Sequence, residues 1–145
     1  MVIFKQGNYP KDYMGSSGVS IAKSGCLTCS ITVGYDALTN KTLNPPMIAS
    51  KLSYNQQGML LWGSLGNWGL KLELKSEVPN DTAVNEALVN PDKFAVLEIN
   101  HGAHFVLVIG KKLPLLGYRI YDPFYGDKAY RYNSLVTGCR IISKQ

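Results

Sequence analysis

Four short apolar, β-rich runs crowd the last third of this chain and constrain its fold more than any other feature. They are residues 94–99, 105–109, 118–121 and 139–142. Turn residues separate them: Asn100-His101-Gly102, Gly110-Lys111-Lys112, Pro123 and Gly126-Asp127. Short runs at this spacing predict strands joined by tight turns, and hence an antiparallel sheet. The helical signals lie upstream. Helices followed by strands put the chain in the α+β class, with an N-terminal helix packed across a C-terminal sheet.

That helix is expected over residues 24–38, where Cys26, Cys29, Val33 and Ala37 fall close to a helical period. Ser24 is its expected N-cap. Asn44-Pro45-Pro46 opens a second helix, expected to reach about residue 54, because Asn suits the cap and Pro the first turn. Residues 57–68, with Trp62, Trp68 and three glycines, read as a short helix and a turn. Residues 70–74 alternate in a strand pattern, and Asn80-Asp81 caps a helix over 82–89 that Asn90-Pro91 ends. Residues 1–20 read as extended loop. A chain of 145 residues is expected to form a single domain, 1–145, with a core of its own.

The net charge of +5 is spread along the chain, and the longest basic run is Lys111-Lys112. This argues against a nucleic-acid partner and suits at most a weakly anionic one, such as a cell-wall polymer. No apolar stretch approaches the roughly 20 residues of a membrane span, and residues 1–9 lack the apolar core of a signal peptide. The expectation is a soluble protein, cytoplasmic or released by lysis or from a phage. Three cysteines, an odd count, do not make a disulfide framework. Cys26 and Cys29 have the spacing of zinc and redox sites. They lack a second ligand pair and a clear preceding strand, so no metal or organic cofactor is expected.

The chemistry lies in four scattered residues. Cys26 follows Gly25 at a helix start, where unpaired N–H groups and the helix dipole favour a thiolate. Gly25 is expected to let a substrate backbone approach closely. His104 begins an apolar strand, and Asp122 ends the next. A thiol, an imidazole and a carboxylate suggest a nucleophile, its base and the group that orients the base. Gln6 supplies an amide donor for a developing oxyanion. His101 competes for the role of base, but a strand places His104 more rigidly than a turn places His101. Blander readings stand beside these. Cys29 and Cys139 suit the core, Asp122 before Pro123 suits a strand end, and Gln6 suits an exposed surface.

Gln6, Gly25-Cys26, His104-Phe105-Val106-Leu107 and Asp122-Pro123, in that order, resemble the papain-like cysteine peptidases. The nearest branch is similar to the peptidases that trim double-glycine leaders from bacteriocin precursors. Ser30 matches the small residue expected one helical turn after the nucleophile. The resemblance implies a papain-like fold. It also implies Cys26 as nucleophile, His104 as base, Asp122 as orienter, Gln6 as oxyanion donor, and a peptide, protein or peptidoglycan substrate.

The leading expectation is a thiol hydrolase that cleaves a peptide or amide bond. Its rivals are a peptidoglycan endopeptidase or amidase, which the sequence pI of about 9.1 would suit, and an inactive papain-like binding or virion protein. Trp62 and Trp68 suit the core or, among their glycines, the wall of a substrate groove. Tyr118, Tyr121, Tyr125, Tyr130 and Tyr132 are expected to form an interaction surface.

Overall fold

The computed structural model describes residues 1–126, 129–132 and 135–145, with side chains for 1–126 and 135–145. Its helices are α1 (Ile21–Ser24), α2 (Cys26–Thr39), α3 (Pro45–Ala49) and α4 (Asp81–Val89). Its strands are β1 (Leu70–Ser76), β2 (Lys93–Ile99), β3 (His104–Leu113), β4 (Gly117–Tyr121), β5 (Ala129–Tyr132) and β6 (Val136–Lys144). They form one antiparallel sheet in the order β1-β6-β2-β3-β4-β5. The fold is α+β.

The sheet is covered on both faces, which explains why the run 94–99 is apolar throughout and does not alternate. Phe94 and Val96 of β2 face α2 together with Leu107 and Ile142, and cluster with its Ile31 and Val33. Ala95, Leu97 and Ile99 face α4, where Val84 and Ala87 close a second core with Val106, Val108 and Ile141. Each large apolar side chain so buried contributes about 1.5–3 kcal/mol. Glycine sets the separation between α2 and the sheet. A Cβ on Gly34 would lie 2.5 Å from the Phe94 ring.

Several boundaries differ from the sequence reading. Ser24 does not cap α2. It ends α1, which Ser20 caps by accepting the Lys23 N–H at 3.1 Å. Gly25 then occupies the N-cap of α2 without a side-chain cap. Nor does Gly25 leave room for a substrate. A Cβ there would lie 2.6 Å from the Ile21 carbonyl oxygen, so glycine serves the tight α1–α2 junction. Asn44 does cap α3, accepting the Met47 N–H at 2.9 Å, but the helix stops at Ala49. Tyr54 leaves it to pair with Leu60 in an isolated bridge and to bond the Thr28 hydroxyl at 2.8 Å. Trp62–Trp68 is a 3-10 helix, and β5 is a strand that none of the four apolar runs covers.

The N-terminal segment is tied down more than a loop reading implies. Gln6–Asn8 is a 3-10 turn. The Gln6 N–H donates to the Pro123 carbonyl at 2.9 Å, the Ala22 N–H donates to the Tyr9 carbonyl at 3.1 Å, and the Tyr121 hydroxyl donates to the Phe4 carbonyl. The expected tyrosine surface does not hold for two of its members. Tyr121 is buried by that bond, and Tyr118 is buried with its hydroxyl on Asp81 Oδ1. Tyr125 is exposed, and the side chains of Tyr130 and Tyr132 lie outside those described. Among the described residues, no helix is long and apolar enough to cross a membrane.

Candidate active site

Cys26 is the first residue of α2, the helix that crosses β2 and β3. Its placement follows from the α1–α2 junction: α1 ends at Ser24, Gly25 turns the chain against Ile21, and the next residue opens the long helix. Cys26 is largely buried and lines a cleft of about 660 Å³. His104 and Gln6 line the same cleft.

His104 reaches Cys26 by an unexpected route. Strand alternation gives it the parity of Val106 and Val108, which bury against α4 on the opposite face. As the first residue of β3, His104 instead meets Cys26 and Asp122 at the end of the sheet. Its Nε2 lies 2.8 Å from Asp122 Oδ1. Cys26 lies close enough to the ring to raise its pKa, and with Nε2 engaged by Asp122 the nitrogen left to face the sulfur is Nδ1.

Burial is the largest single influence on the imidazole and disfavours its charge. The bonds and negative charges of Asp122 and Cys26 together outweigh burial and push the His104 pKa up to about 10.

Asp122 serves its turn and the imidazole together. Its Oδ1 accepts the Phe124 N–H at 2.9 Å, and its carbonyl accepts the Gly126 N–H at 2.9 Å. The carboxylate is almost wholly buried, with 5% side-chain exposure, while the His104 side chain keeps 26% on the cleft side.

Gln6 joins the two halves of the site. Its backbone N–H is bound to Pro123, next to Asp122, and its Nε2 donates to the Ala22 carbonyl at 3.2 Å. That bond fixes the amide orientation, since a flip would set oxygen against oxygen. The second Nε2 hydrogen remains as a donor. The expectation of an exposed surface residue fails here, because Gln6 is buried.

Scans against protein-family models, curated proteins and solved structures find no match.

Cys29 and Cys139 take no part in the cluster. Both are buried in the cores. Burial, and after it the nearby Cys26 charge, drives the Cys29 thiol far above its ordinary pKa, against a lowering bond from Tyr121. Ser30, one turn after Cys26, is fully buried. His101 sits exposed on the cleft rim. Trp62 lines the cleft, whereas Trp68 is structural: it donates to the Ile48 carbonyl at 2.9 Å and packs edge-on against Tyr35.

The sequence reading missed one pair in the cleft, Glu98 and Arg140. They form an ion pair of 2.7 Å with both side chains less than a tenth exposed. Burial opposes the Glu98 charge most strongly, but the Thr137 hydroxyl, Arg140 and then His101 hold its carboxyl below the usual pKa. The available signal was a single charge in each of two otherwise apolar runs, 94–99 and 139–142, the two being of opposite sign.

Proposed function

We propose that this chain is a papain-like thiol hydrolase acting on peptide or amide bonds. The observation that carries this reading is the Cys26–His104–Asp122 arrangement: a thiol at a helix start, an imidazole on the same cleft near enough to feel its charge, and a buried carboxylate that bonds the imidazole at 2.8 Å. A nucleophile, its base and an orienting group within hydrogen-bond reach are what acyl transfer through sulfur requires.

In this mechanism the Cys26 thiolate attacks the substrate carbonyl carbon. The Gln6 amide and the Cys26 backbone N–H stabilise the resulting oxyanion. Protonated His104 gives its proton to the leaving amine as the C–N bond breaks, and a thioester remains on Cys26. Water then attacks the thioester, His104 takes the water proton, and the thiolate leaves. Asp122 keeps Nε2 occupied throughout, so that Nδ1 faces the reacting atoms.

The test is alkylation by iodoacetamide, read by peptide mass spectrometry across pH 6 to 9. Cys26 is expected to label far faster than Cys29 and Cys139, and His104→Ala is expected to abolish that advantage. Labelling of Cys26 that the His104 substitution leaves unchanged would sink the hydrolase reading and favour a binding domain.

A further inference from the structure

The buried Glu98–Arg140 pair has a consequence at the site. Arg140 is anchored by Nη1 to the Cys139 and Ser76 carbonyls, at 3.0 and 3.2 Å, and its Nη2 donates to Glu98 Oε2. The other carboxylate oxygen, Oε1, accepts the Thr137 hydroxyl at 2.9 Å. Thr137 Oγ1 in turn accepts the His101 N–H at 2.9 Å. The direction of the chain is fixed. A backbone N–H can only donate, so the hydroxyl accepts there and sends its own proton to the carboxylate.

His101 is the middle of three consecutive residues in the left-handed region: Asn100 at φ 47°, His101 at φ 56° and Gly102 at φ 95°. Two of the three are not glycine, and such conformations persist only where the surroundings over-determine them. Here the Asn100 N–H is held by the Leu135 carbonyl at 2.8 Å, and the His101 N–H by Thr137. The turn closes with the Ala103 N–H on the Asn100 carbonyl, and the next residue is His104. As a source of stability a buried ion pair is near break-even. Its effect lies in what it orients.

We propose that Thr137 is a positioning residue for His104: anchored by Glu98 and Arg140, it clamps the left-handed turn that sets the imidazole between Cys26 and Asp122. As a contribution to catalysis this rests on the hydrolase reading; as a statement about the placement of His104 it does not.

Burial is the largest influence on the titration of His104 and lowers its pKa; the groups that raise it past that are Asp122, just beyond β4, and Cys26 on α2. Displacing the ring weakens both influences at once. The experiment follows the ring resonances of His104 against pH in histidine-labelled protein, for wild type, Thr137→Val and Thr137→Ser. The rate of Cys26 alkylation is measured beside it, and thermal melting checks the fold. Thr137 is half-buried, so valine fits its space. If valine fails to fold, Thr137→Ala takes its place.

In the hydroxyl-free variant, the His104 midpoint is expected to fall and Cys26 alkylation to slow on the order of tenfold, less than the hundredfold that an ångström of misplacement can cost. Thr137→Ser is expected to restore both. A folded hydroxyl-free variant with an unchanged His104 titration overturns the proposal. Should wild-type Cys26 prove unreactive, the hydrolase reading fails, and the His104 titration still decides the positioning role.

Discussion

Asp122 Oδ1 stands 2.8 Å from His104 Nε2 and 2.9 Å from the Phe124 N–H. One oxygen thus fixes the turn at Pro123 and the His104 ring together. The turn places the carboxylate, the carboxylate places the ring, and the ring faces a sulfur delivered by a different layer of the fold.

This relationship separates the charge of Asp122 from its geometry. Asp122→Asn keeps an acceptor oxygen for both donors and removes the negative charge. The His104 midpoint is expected to drop from about 10, because the Asp122 charge is one of the influences that raise it. Nuclear magnetic resonance titration of the imidazole reads this directly. A midpoint unchanged in a folded variant would show that Cys26 alone sustains the imidazolium.

Stability should carry the same signature. The folded-state pKa of His104 lies above the ordinary value of 6.5. The protonated ring therefore stabilises the fold fully below pH 6.5, and that stabilisation is lost as pH rises toward about 10. The difference in melting temperature between wild type and His104→Gln should be widest near the low end of that window and shrink across it. A gap that widens with pH would contradict an imidazolium held by Asp122 and Cys26.

Much of this arrangement was legible in the chain, for physical reasons. Strands β2, β3, β4 and β6 announced themselves because burial on two faces demands apolar runs. Cys26, His104 and Asp122 stood out because each sits at the end of a recognisable element, where side chains converge, whereas Gln6 stood in an N-terminal segment that read only as loop. Other features depend on contacts distant in sequence. The α2 start shifted by two residues because packing of Gly25 on Ile21 decides it, and no local capping signal reports that contact. Strand β5 lies at the edge of the sheet and lacks the apolar run that marks a buried strand. The Glu98–Arg140 pair exists only once β2 and β6 are adjacent.

Gln6 offers a test that divides the reaction in two. Its amide is asked to stabilise an oxyanion, which hydrolysis forms and alkylation does not. Gln6→Ala should slow hydrolysis of an activated ester by about 10²–10³-fold, the usual cost of one lost oxyanion donor. Cys26 alkylation should stay near the wild-type rate. A parallel fall in both would mean that Gln6 acts by holding the Cys26 segment through Ala22 and Pro123.

The placement of Cys26 also depends on how closely α2 approaches the sheet, and Gly34 governs that distance. In Gly34→Ala the new methyl would lie 2.5–2.7 Å from carbons of the Phe94 ring, which is itself buried. Overpacking of this kind costs about 1–3 kcal/mol, offset in part by the roughly 1 kcal/mol that alanine gains over glycine in a helix. The net effect in urea unfolding should be destabilising, while Gly63→Ala, where no atom lies within 4 Å, should be nearly silent. Phe94→Leu removes the clashing ring edge, so the double variant Gly34→Ala, Phe94→Leu should be more stable than the sum of the single effects predicts. If α2 relieves the clash by lifting from β2, Cys26 at its first residue moves relative to His104, and alkylation of Cys26 slows in Gly34→Ala alone. Strict additivity of the two substitutions would mean that the helix and the ring do not share this contact.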